Sequence, residues 1–171
     1  MSTIAWYYLG QSLLRLGELA AAEEAIAQAN ILDNTNPLVW GLNAVLCLMY
    51  GRHRLVQARF AIKEAFRLGL RDAALLEEIG DYFEGEELFT DGQQAYELAV
   101  EIDPENGTVL QKLGHLYSND KNDDGDKERA VDCYKQAITL VKGDNNKQNI
   151  ALTLQSLLTE LNREFEISPF K

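Results

Sequence analysis

The stretch NILDNTNPLVW, residues 30–40, ends one segment of the chain and begins another in the same way as VEIDPENGTVL, residues 100–110. In each stretch an apolar residue and an Asp precede a turn-forming cluster that contains Pro, and apolar residues then resume. Asn and Asp tolerate turn geometry and Pro cannot continue a helix, so each stretch marks the end of one helix and the start of the next. The separation of 70 residues between Leu32 and Ile102 indicates two copies of a unit of about 34 residues, with two residues inserted.

The composition predicts a folded and largely helical chain. It has 171 residues, of which 46% are hydrophobic, so it can bury a core. The three prolines leave the long segments between them free to be helical, and no sustained alternation of β-branched residues favours strands. Its formal charge of −11 repels phosphate backbones and anionic lipids. Nucleic acid and membrane surfaces are therefore not expected partners.

The two cysteines and the N-terminus predict a cytoplasmic protein. Cys47 and Cys133 lie in helical apolar stretches and are interpreted as reduced packing residues. The N-terminus lacks the pattern of a secretory signal, and no stretch approaches the roughly 18 apolar residues of a membrane span.

Each unit of about 34 residues places small and large residues at fixed positions. The first copy carries Trp6, Leu9, Gly10 and Leu13, then Ala22, Ile26 and Ala29. The later copies carry Trp40, Ala44, Cys47, Ala58, Ile62 and Ala65; Leu76, Ile79, Gly80, Phe83, Gly92, Tyr96 and Ala99; and Leu110, Leu113, Gly114, Tyr117, Ala130, Tyr134 and Ala137. The small residues Gly10, Ala44, Gly80 and Gly114 are expected where paired helices approach, with large residues filling the volume beside them.

This pattern resembles the tetratricopeptide repeat (TPR) family over residues 3–142. The resemblance implies an all-α fold, a right-handed α-solenoid of about four helix-turn-helix repeats at residues 3–36, 37–72, 73–106 and 107–143. Residues 144–166 are predicted to form a C-terminal capping helix, and residues 167–171 a tail. The apolar stripe of that helix comprises Ile150, Leu154, Leu157, Leu158, Leu161 and Phe165. The first helix has no comparable cover, so we expect the chain to be the C-terminal module of a longer protein, or to self-associate through this face.

The resemblance also implies a partner-binding groove lined by the first helix of each repeat. The positions that face such a groove in the family are occupied here by Tyr7, Gln11, Leu14, Arg15, Leu38, Val45, Met49, Glu77, Asp81, Gln111 and His115. Family members that grip the carboxylate of an acidic chaperone tail use Lys and Arg there. Because Glu77 and Asp81 stand at two of those positions, a basic or apolar helix or segment is the expected partner.

Part of the chain carries a narrower resemblance. The runs ANILDNTNPLVWGLNAVLCLMYGR, residues 29–52, and AFRLGLRDAALLEEIG, residues 65–80, are similar to the C-terminal repeat array of a family of cilia- and flagella-associated proteins. This resemblance implies an axonemal component that docks other proteins on microtubule-based structures.

The acidic segment SNDKNDDGDKERAVD, residues 118–132, offers an alternative function as a calcium-responsive regulator. Its candidate ligands follow the start of a calcium-loop pattern: Asp120, Asn122, Asp124, Asp126 and Glu128. The twelfth position is Val131 where the pattern needs a bidentate Glu. A solvated acidic insertion between helices is therefore favoured, and no metal is predicted.

Catalysis is not expected from this sequence. The two histidines, His53 and His115, have no Ser or Cys nucleophile placed beside them, and Cys133 belongs to a second helix. Neither a glycine-rich phosphate loop nor zinc-ligand spacing occurs, so no cofactor is predicted. The sequence predicts a non-catalytic protein-interaction scaffold.

Overall fold

A computed structural model describes residues 2–119, 121–122 and 126–161 of the chain. Within these ranges the chain forms nine α-helices, one short 3-10 helix at Arg52–Arg54, and no strand. The helices are α1 (Thr3–Arg15), α2 (Leu19–Leu32), α3 (Pro37–Met49), α4 (Leu55–Arg67), α5 (Ala73–Gly85), α6 (Phe89–Ile102), α7 (Gly107–Ser118), α8 (Lys127–Leu140) and α9 (Asp144–Glu160). The prediction of an all-helical chain is confirmed for the described residues.

The two turn stretches end and begin helices as their residues predict. α2 ends at Leu32, and α3 begins with Pro37, while the Asn36 side chain accepts a hydrogen bond from the backbone N–H of Leu38. α6 ends at Ile102, and the side chain of Asn106 caps α7 by accepting from the N–H of Val109. Side-chain caps of this kind satisfy backbone donors that the first turn of a helix leaves unpaired.

The chain divides into two compact units, with unit 1 extending to Glu86 and unit 2 starting at Glu87. In unit 1, α1 packs on α2, α3 packs on α4, and α3 also contacts α1, α2 and α5. Fully buried side chains on α3 and α5 form its core: Val39, Leu42, Val45, Leu46, Leu76 and Ile79. Unit 1 therefore buries its apolar residues mainly around α3.

In unit 2, α7 packs on both α6 and α8, and α8 also contacts α9. The largest fully buried side chains of this unit are Tyr96, Val109, Leu116, Ile150, Leu154 and Leu158. Three of them belong to α9, so its apolar stripe is buried in unit 2 as the spacing predicts. Phe165, which the sequence assigns to the same stripe, lies outside the described residues.

Small residues stand where helices within a pair come close. A Cβ atom on Gly10 of α1 would lie 2.9 Å from Cγ1 of Ile26 on α2. A Cβ on Gly114 of α7 would lie 3.2 Å from the Tyr134 ring and 3.3 Å from Cβ of Cys133, both on α8. Both contacts confirm the predicted crossings, and Ala44 is fully buried in α3. The absence of a larger side chain at Gly10 and Gly114 sets the distance between the paired helices.

The state of the cysteines and the character of the helices bear on the expected environment of the chain. Cys47 and Cys133 are free thiols and are buried, as expected of packing residues. No helix among the described residues is both long enough and apolar enough to cross a membrane.

Candidate partner-binding surface

The candidate surface of unit 1 is formed by the first helices of successive pairs, α1, α3 and α5. α3 contacts both α1 and α5, so it lies between them. At Gly41 of α3, a Cβ atom would lie 2.6 Å from Cδ2 of Leu75, which shows how closely α5 approaches. We call the solvent-facing side of α1, α3 and α5 the first-helix surface.

Three of the predicted surface residues are packed inside unit 1 instead. Val45 is fully buried, and Leu14 and Tyr7 expose only 4% and 7% of their area. The close approach of α5 at Gly41 covers this part of α3, which leaves Val45 no access to a partner. The assignment of Val45, Leu14 and Tyr7 to an open groove is therefore corrected, since all three are core residues.

The other candidates are at least partly accessible. Arg15 and Asp81 are exposed on α1 and α5, whereas the remaining residues of unit 1 are half-buried: Gln11, Leu38, Met49 and Glu77. In unit 2, α7 carries the half-buried Gln111 and the exposed His115. The structure thus brings Arg15, Glu77 and Asp81 to the first-helix surface of unit 1.

The charges on this surface influence one another. Burial raises the pKa of the Glu78 carboxyl, the nearby Arg15 guanidinium opposes that shift, and the Asp81 carboxylate adds to it. Burial also raises the pKa of the Tyr7 phenol to about 12, with further contributions from the charges of Asp72 and Glu78. Residues of α1 and α5 therefore share one electrostatic environment in which carboxylates predominate.

Sequence reasoning missed Glu78, although its position could have revealed it. Glu78 and Asp81 are three residues apart, so they share a face of α5. The groove positions of the family identify Glu77 and Asp81. They carry no information about neighbouring residues on the same helix, so they do not identify Glu78. Glu77, Glu78 and Asp81 together give α5 a face with three carboxylates.

Two residues of the calcium-loop pattern have structural roles. The Asn122 side chain is buried and donates from Nδ2 to Oε1 of Gln93 at 2.9 Å and to the Leu116 carbonyl at 3.0 Å. The Asp126 carboxylate caps α8 by accepting from the N–H groups of Glu128 and Arg129. Asp120 and Asp124 lie outside the described residues, and Glu128 is exposed. Among the residues that the structure describes, no three His, Cys, Asp or Glu side chains are grouped to hold a metal ion.

The groups considered for catalysis lie on different elements. His53 is exposed in the 3-10 helix, with its ring edge-on to Tyr50 at 6.4 Å between centroids, and His115 belongs to unit 2. Burial raises the pKa of the Cys133 thiol to about 11, so it is protonated at neutral pH. A protonated, buried thiol is a poor nucleophile.

A cluster of three side chains links the second helix of one pair to the next pair. The sequence alone does not reveal it. In unit 1, Glu23 of α2 accepts hydrogen bonds from Tyr50 Oη at 3.0 Å and from Arg54 Nη1 at 2.7 Å. The Arg54 guanidinium carbon also lies 3.8 Å from the centroid of the Tyr50 ring. An ion pair, a phenol hydrogen bond and a cation–π contact thus join α2, the end of α3 and the 3-10 helix.

The same residue types recur in unit 2. Glu97 of α6 accepts a hydrogen bond from the Tyr117 hydroxyl, and Arg129 of α8 lies 3.8 Å from the Glu97 carboxylate. The Arg129 guanidinium lies 5.7 Å from the Tyr117 ring centroid. We call these two Glu-Tyr-Arg sets the clasps, comprising Glu23, Tyr50 and Arg54 in unit 1 and Glu97, Tyr117 and Arg129 in unit 2.

Comparison with known proteins places this architecture among TPR proteins. Residues 1–116 match the family described as the cilia and flagella-associated protein 70 C-terminal domain. Cilia- and flagella-associated protein 70 of Macaca fascicularis and of Homo sapiens are each 44% identical to the chain over 78 residues, or 46% of it. That match spans 8% and 7% of the length of these two relatives, respectively.

Solved structures show the same fold at low sequence identity. YrrB, described as a TPR protein with an unusual peptide-binding site, has a TM-score of 0.71 and 14% identity, over 99% of this chain and 82% of its own. PilF of Pseudomonas aeruginosa has a TM-score of 0.69 and 19% identity, over 98% of this chain and 72% of its own. The predicted TPR fold is confirmed.

Proposed function

The chain belongs to the cilia and flagella-associated protein 70 C-terminal domain family, and we propose that it is a non-catalytic scaffold that binds a partner protein through its first helices. The partner is a helix or extended segment with basic residues and apolar anchors. The observation that carries this proposal is the carboxylate-rich face of α5, formed by Glu77, Glu78 and Asp81. A basic segment offers charges that complement this face.

Three further observations support a basic segment with apolar anchors as the partner. The chain carries a formal charge of −11, which attracts basic segments and repels acidic ones over distances beyond contact. YrrB shares the fold and is described as having a peptide-binding site, so helical repeats of this type can bind peptides. Half-buried Leu38 and Met49 offer apolar area on α3, the helix that contacts α5.

Charge reversal on α5 tests this proposal. The variant Glu77→Lys/Asp81→Lys is expected to weaken the binding of a basic amphipathic peptide about tenfold, which corresponds to about 1.4 kcal/mol. Fluorescence anisotropy with a labelled peptide measures the change, and an acidic chaperone-tail peptide serves as the comparison ligand. The matched control Glu18→Lys/Glu24→Lys alters the net charge equally at exposed residues elsewhere in unit 1. Equal weakening by the control, or preference for the acidic peptide, would contradict the proposal.

The family supports a role for the scaffold in the cilium or flagellum. We place the chain at the axoneme, where it would hold a partner on a microtubule-based structure. Expression of the tagged chain in ciliated cells, followed by detergent extraction, tests this placement. The chain is expected to remain with the extracted axonemes, and its complete release with the soluble fraction would contradict the assignment. The charge-reversed variant shows whether retention depends on the first-helix surface.

Self-association is a second candidate, favoured by apolar exposure on the first helix. Ile4 and Tyr8 of α1 expose 62% and 59% of their area, and Leu16, just after the helix, exposes 75%. Light scattering over a concentration series is expected to show a dimer that Tyr8→Glu disrupts. Leu152→Glu, at a residue of α9 that is also 59% exposed, is the matched control. A monomer at every concentration would exclude this candidate.

A further inference from the structure

A pocket of about 190 Å³ opens between α2 and α3 in unit 1. Its lining comes from both helices: Glu23, Ile26, Ala27, Asn30, Val39, Trp40 and Asn43. At 3.6 residues per turn, Trp40 and Asn43 point roughly 150° away from Leu38 and Met49, the α3 residues of the first-helix surface, around the axis of α3. The α2–α3 pocket is therefore separate from the first-helix surface.

The size and walls of the pocket fit one side chain. Pockets for drug-sized ligands and cofactors have volumes of about 300–1,000 Å³, more than this pocket offers. Ile26, Ala27 and Val39 provide apolar walls, and the Trp40 indole provides an aromatic one. The indole is held in place because its Nε1–H donates to the Asn34 carbonyl at 2.8 Å. Phe60 of α4 also packs edge-on against it, at 5.9 Å between ring centroids.

The carbonyl oxygen of the Asn30 side chain lacks a hydrogen-bond partner. Oδ1 of Asn30 is buried and unpaired among the described residues, and Asn30 lines the pocket. Buried polar atoms in folded proteins are nearly always hydrogen-bonded, because an unpaired one has lost its water without compensation. Because Oδ1 is buried, a ligand reaches it when the Asn30 amide turns into the pocket, and a hydrogen-bond donor placed there removes this penalty.

Glu23 adds negative charge to the same pocket. One carboxylate oxygen accepts from Arg54 and the other from Tyr50, whereas a carboxylate has about four acceptor sites. The hydrogen bond from Arg54 lowers the pKa of Glu23, so the carboxyl stays ionised at neutral pH. Asn43 contributes a second amide to the lining. The pocket thus combines apolar walls with acceptors that suit a positively charged donor.

We propose that the α2–α3 pocket binds the side chain of a lysine from a partner polypeptide. The four-carbon stem of lysine packs along Ile26, Val39 and Trp40, and its ammonium group donates to Asn30 Oδ1 and Glu23. An ammonium group has three donors and no acceptor, which matches a site built from acceptors. It also gains from lying near the face of an indole. Asn30 is then a recognition residue whose unpaired oxygen is completed by the partner.

A titration of the unmodified chain tests the proposal with the lysine side chain alone. The probe is n-butylammonium, and 1-butanol is the comparison, because it has the same stem and a neutral hydroxyl tip. In ¹⁵N-labelled protein at constant ionic strength, n-butylammonium is expected to shift the indole resonance of Trp40 in a saturable way. The indole of Trp6, on α1, is an internal control that should not move. Equal shifts with 1-butanol, or no shift of Trp40, would overturn the proposal.

Removal of the unpaired oxygen provides the second test. Asn30→Leu keeps the number and branching of the side-chain heavy atoms and removes the acceptor, so it is expected to weaken n-butylammonium binding about tenfold. The matched control Asn149→Leu, at an exposed residue of α9, should bind as the unmodified chain does. A folded Asn30→Leu protein that retains full binding would refute the role of Asn30. Glu77→Lys/Asp81→Lys leaves this pocket unchanged, so the proposal can fail separately from the proposed function.

Discussion

At the scale of single residues, Asn30 is a position where stability and recognition should oppose each other. Its buried Oδ1 has no partner among the described residues, and such an atom costs about 1–3 kcal/mol. Asn30→Leu is therefore expected to raise the free energy of unfolding by about 1 kcal/mol. Urea denaturation followed by circular dichroism measures the change. A loss of stability would instead show that the amide has a structural function.

Substitution of alanine for glycine at two helix ends should change the stability of the protein in opposite directions. A Cβ on Gly107, at the start of α7, would lie 2.8 Å from Val141 Cγ2 and 3.0 Å from the Val141 backbone nitrogen. Overpacking of this kind costs about 1–3 kcal/mol. The helix-propensity gain from replacing glycine by alanine is at most about 1 kcal/mol. Gly107→Ala is therefore expected to destabilise the protein by about 1 kcal/mol or more.

Gly85→Ala is the matched comparison for this prediction. Gly85 ends α5, and a Cβ there would meet no atom within 4 Å. The substitution is expected to stabilise the chain by up to about 1 kcal/mol, because only the unfolded state loses freedom. Thermal unfolding of both variants measures the shift in melting temperature that each substitution causes. Equal shifts in the same direction would show that local packing at Gly107 does not matter.

At the scale of elements, the clasps join helix pairs in both units. Tyr50→Phe and Tyr117→Phe each remove a hydrogen bond to a carboxylate while retaining the ring, and Tyr117→Phe also removes the oxygen that accepts from Arg129 Nη1 at 3.4 Å. Each substitution is expected to cost about 0.5–1.5 kcal/mol. Tyr8→Phe, which changes an exposed tyrosine of α1, is the control and should have little effect. Chemical denaturation measures all three. If neither substitution lowers the free energy of unfolding more than the control does, the clasps are surface contacts that do not stabilise the protein.

Sequence reasoning could not find the clasps because their spacing is irregular. Tyr50 and Arg54 are four residues apart in unit 1, whereas Tyr117 and Arg129 are twelve apart in unit 2. The insertion between α7 and α8 increases the sequence separation between Tyr117 and Arg129, but their side chains are still in contact. Asn122 helps to hold this connection by donating to Gln93 of α6. The residue that the sequence offered as a calcium ligand thus anchors a loop.

At the scale of the whole molecule, buried acids that stay protonated should make stability fall at alkaline pH. Burial raises the pKa of Cys133 from 9.0 to about 11 and those of Tyr7 and Tyr117 from 10.0 to about 12. In the unfolded chain these groups lose their protons at lower pH, so the native state binds more protons between the two values. Their contribution is complete below pH 9 and disappears as the pH rises towards about 12.

Urea denaturation at a series of pH values above 8 measures this decline. The double variant Cys133→Ala/Tyr117→Phe removes two of the three groups and is expected to show a shallower decline than the unmodified chain. Its lower stability at neutral pH does not affect the comparison, because the slope against pH is the measured quantity. Identical slopes would mean that these groups ionise alike in the folded and unfolded chains.

The sequence by itself determined the helical TPR fold, the ends of α2 and α6, the starts of α3 and α7, and the negative charge. These features depend on residues that are close in sequence or recur at a fixed period, as the DNTNP and DPENG turns and the glycines at helix crossings do. Only the tertiary structure decided that Val45 is buried, that Asn30 has an unpaired oxygen in a pocket, and that Glu23 meets Arg54. Burial and side-chain pairing are set by groups that are distant in the chain, such as Leu75 against Gly41, and a repeat pattern specifies no such distances.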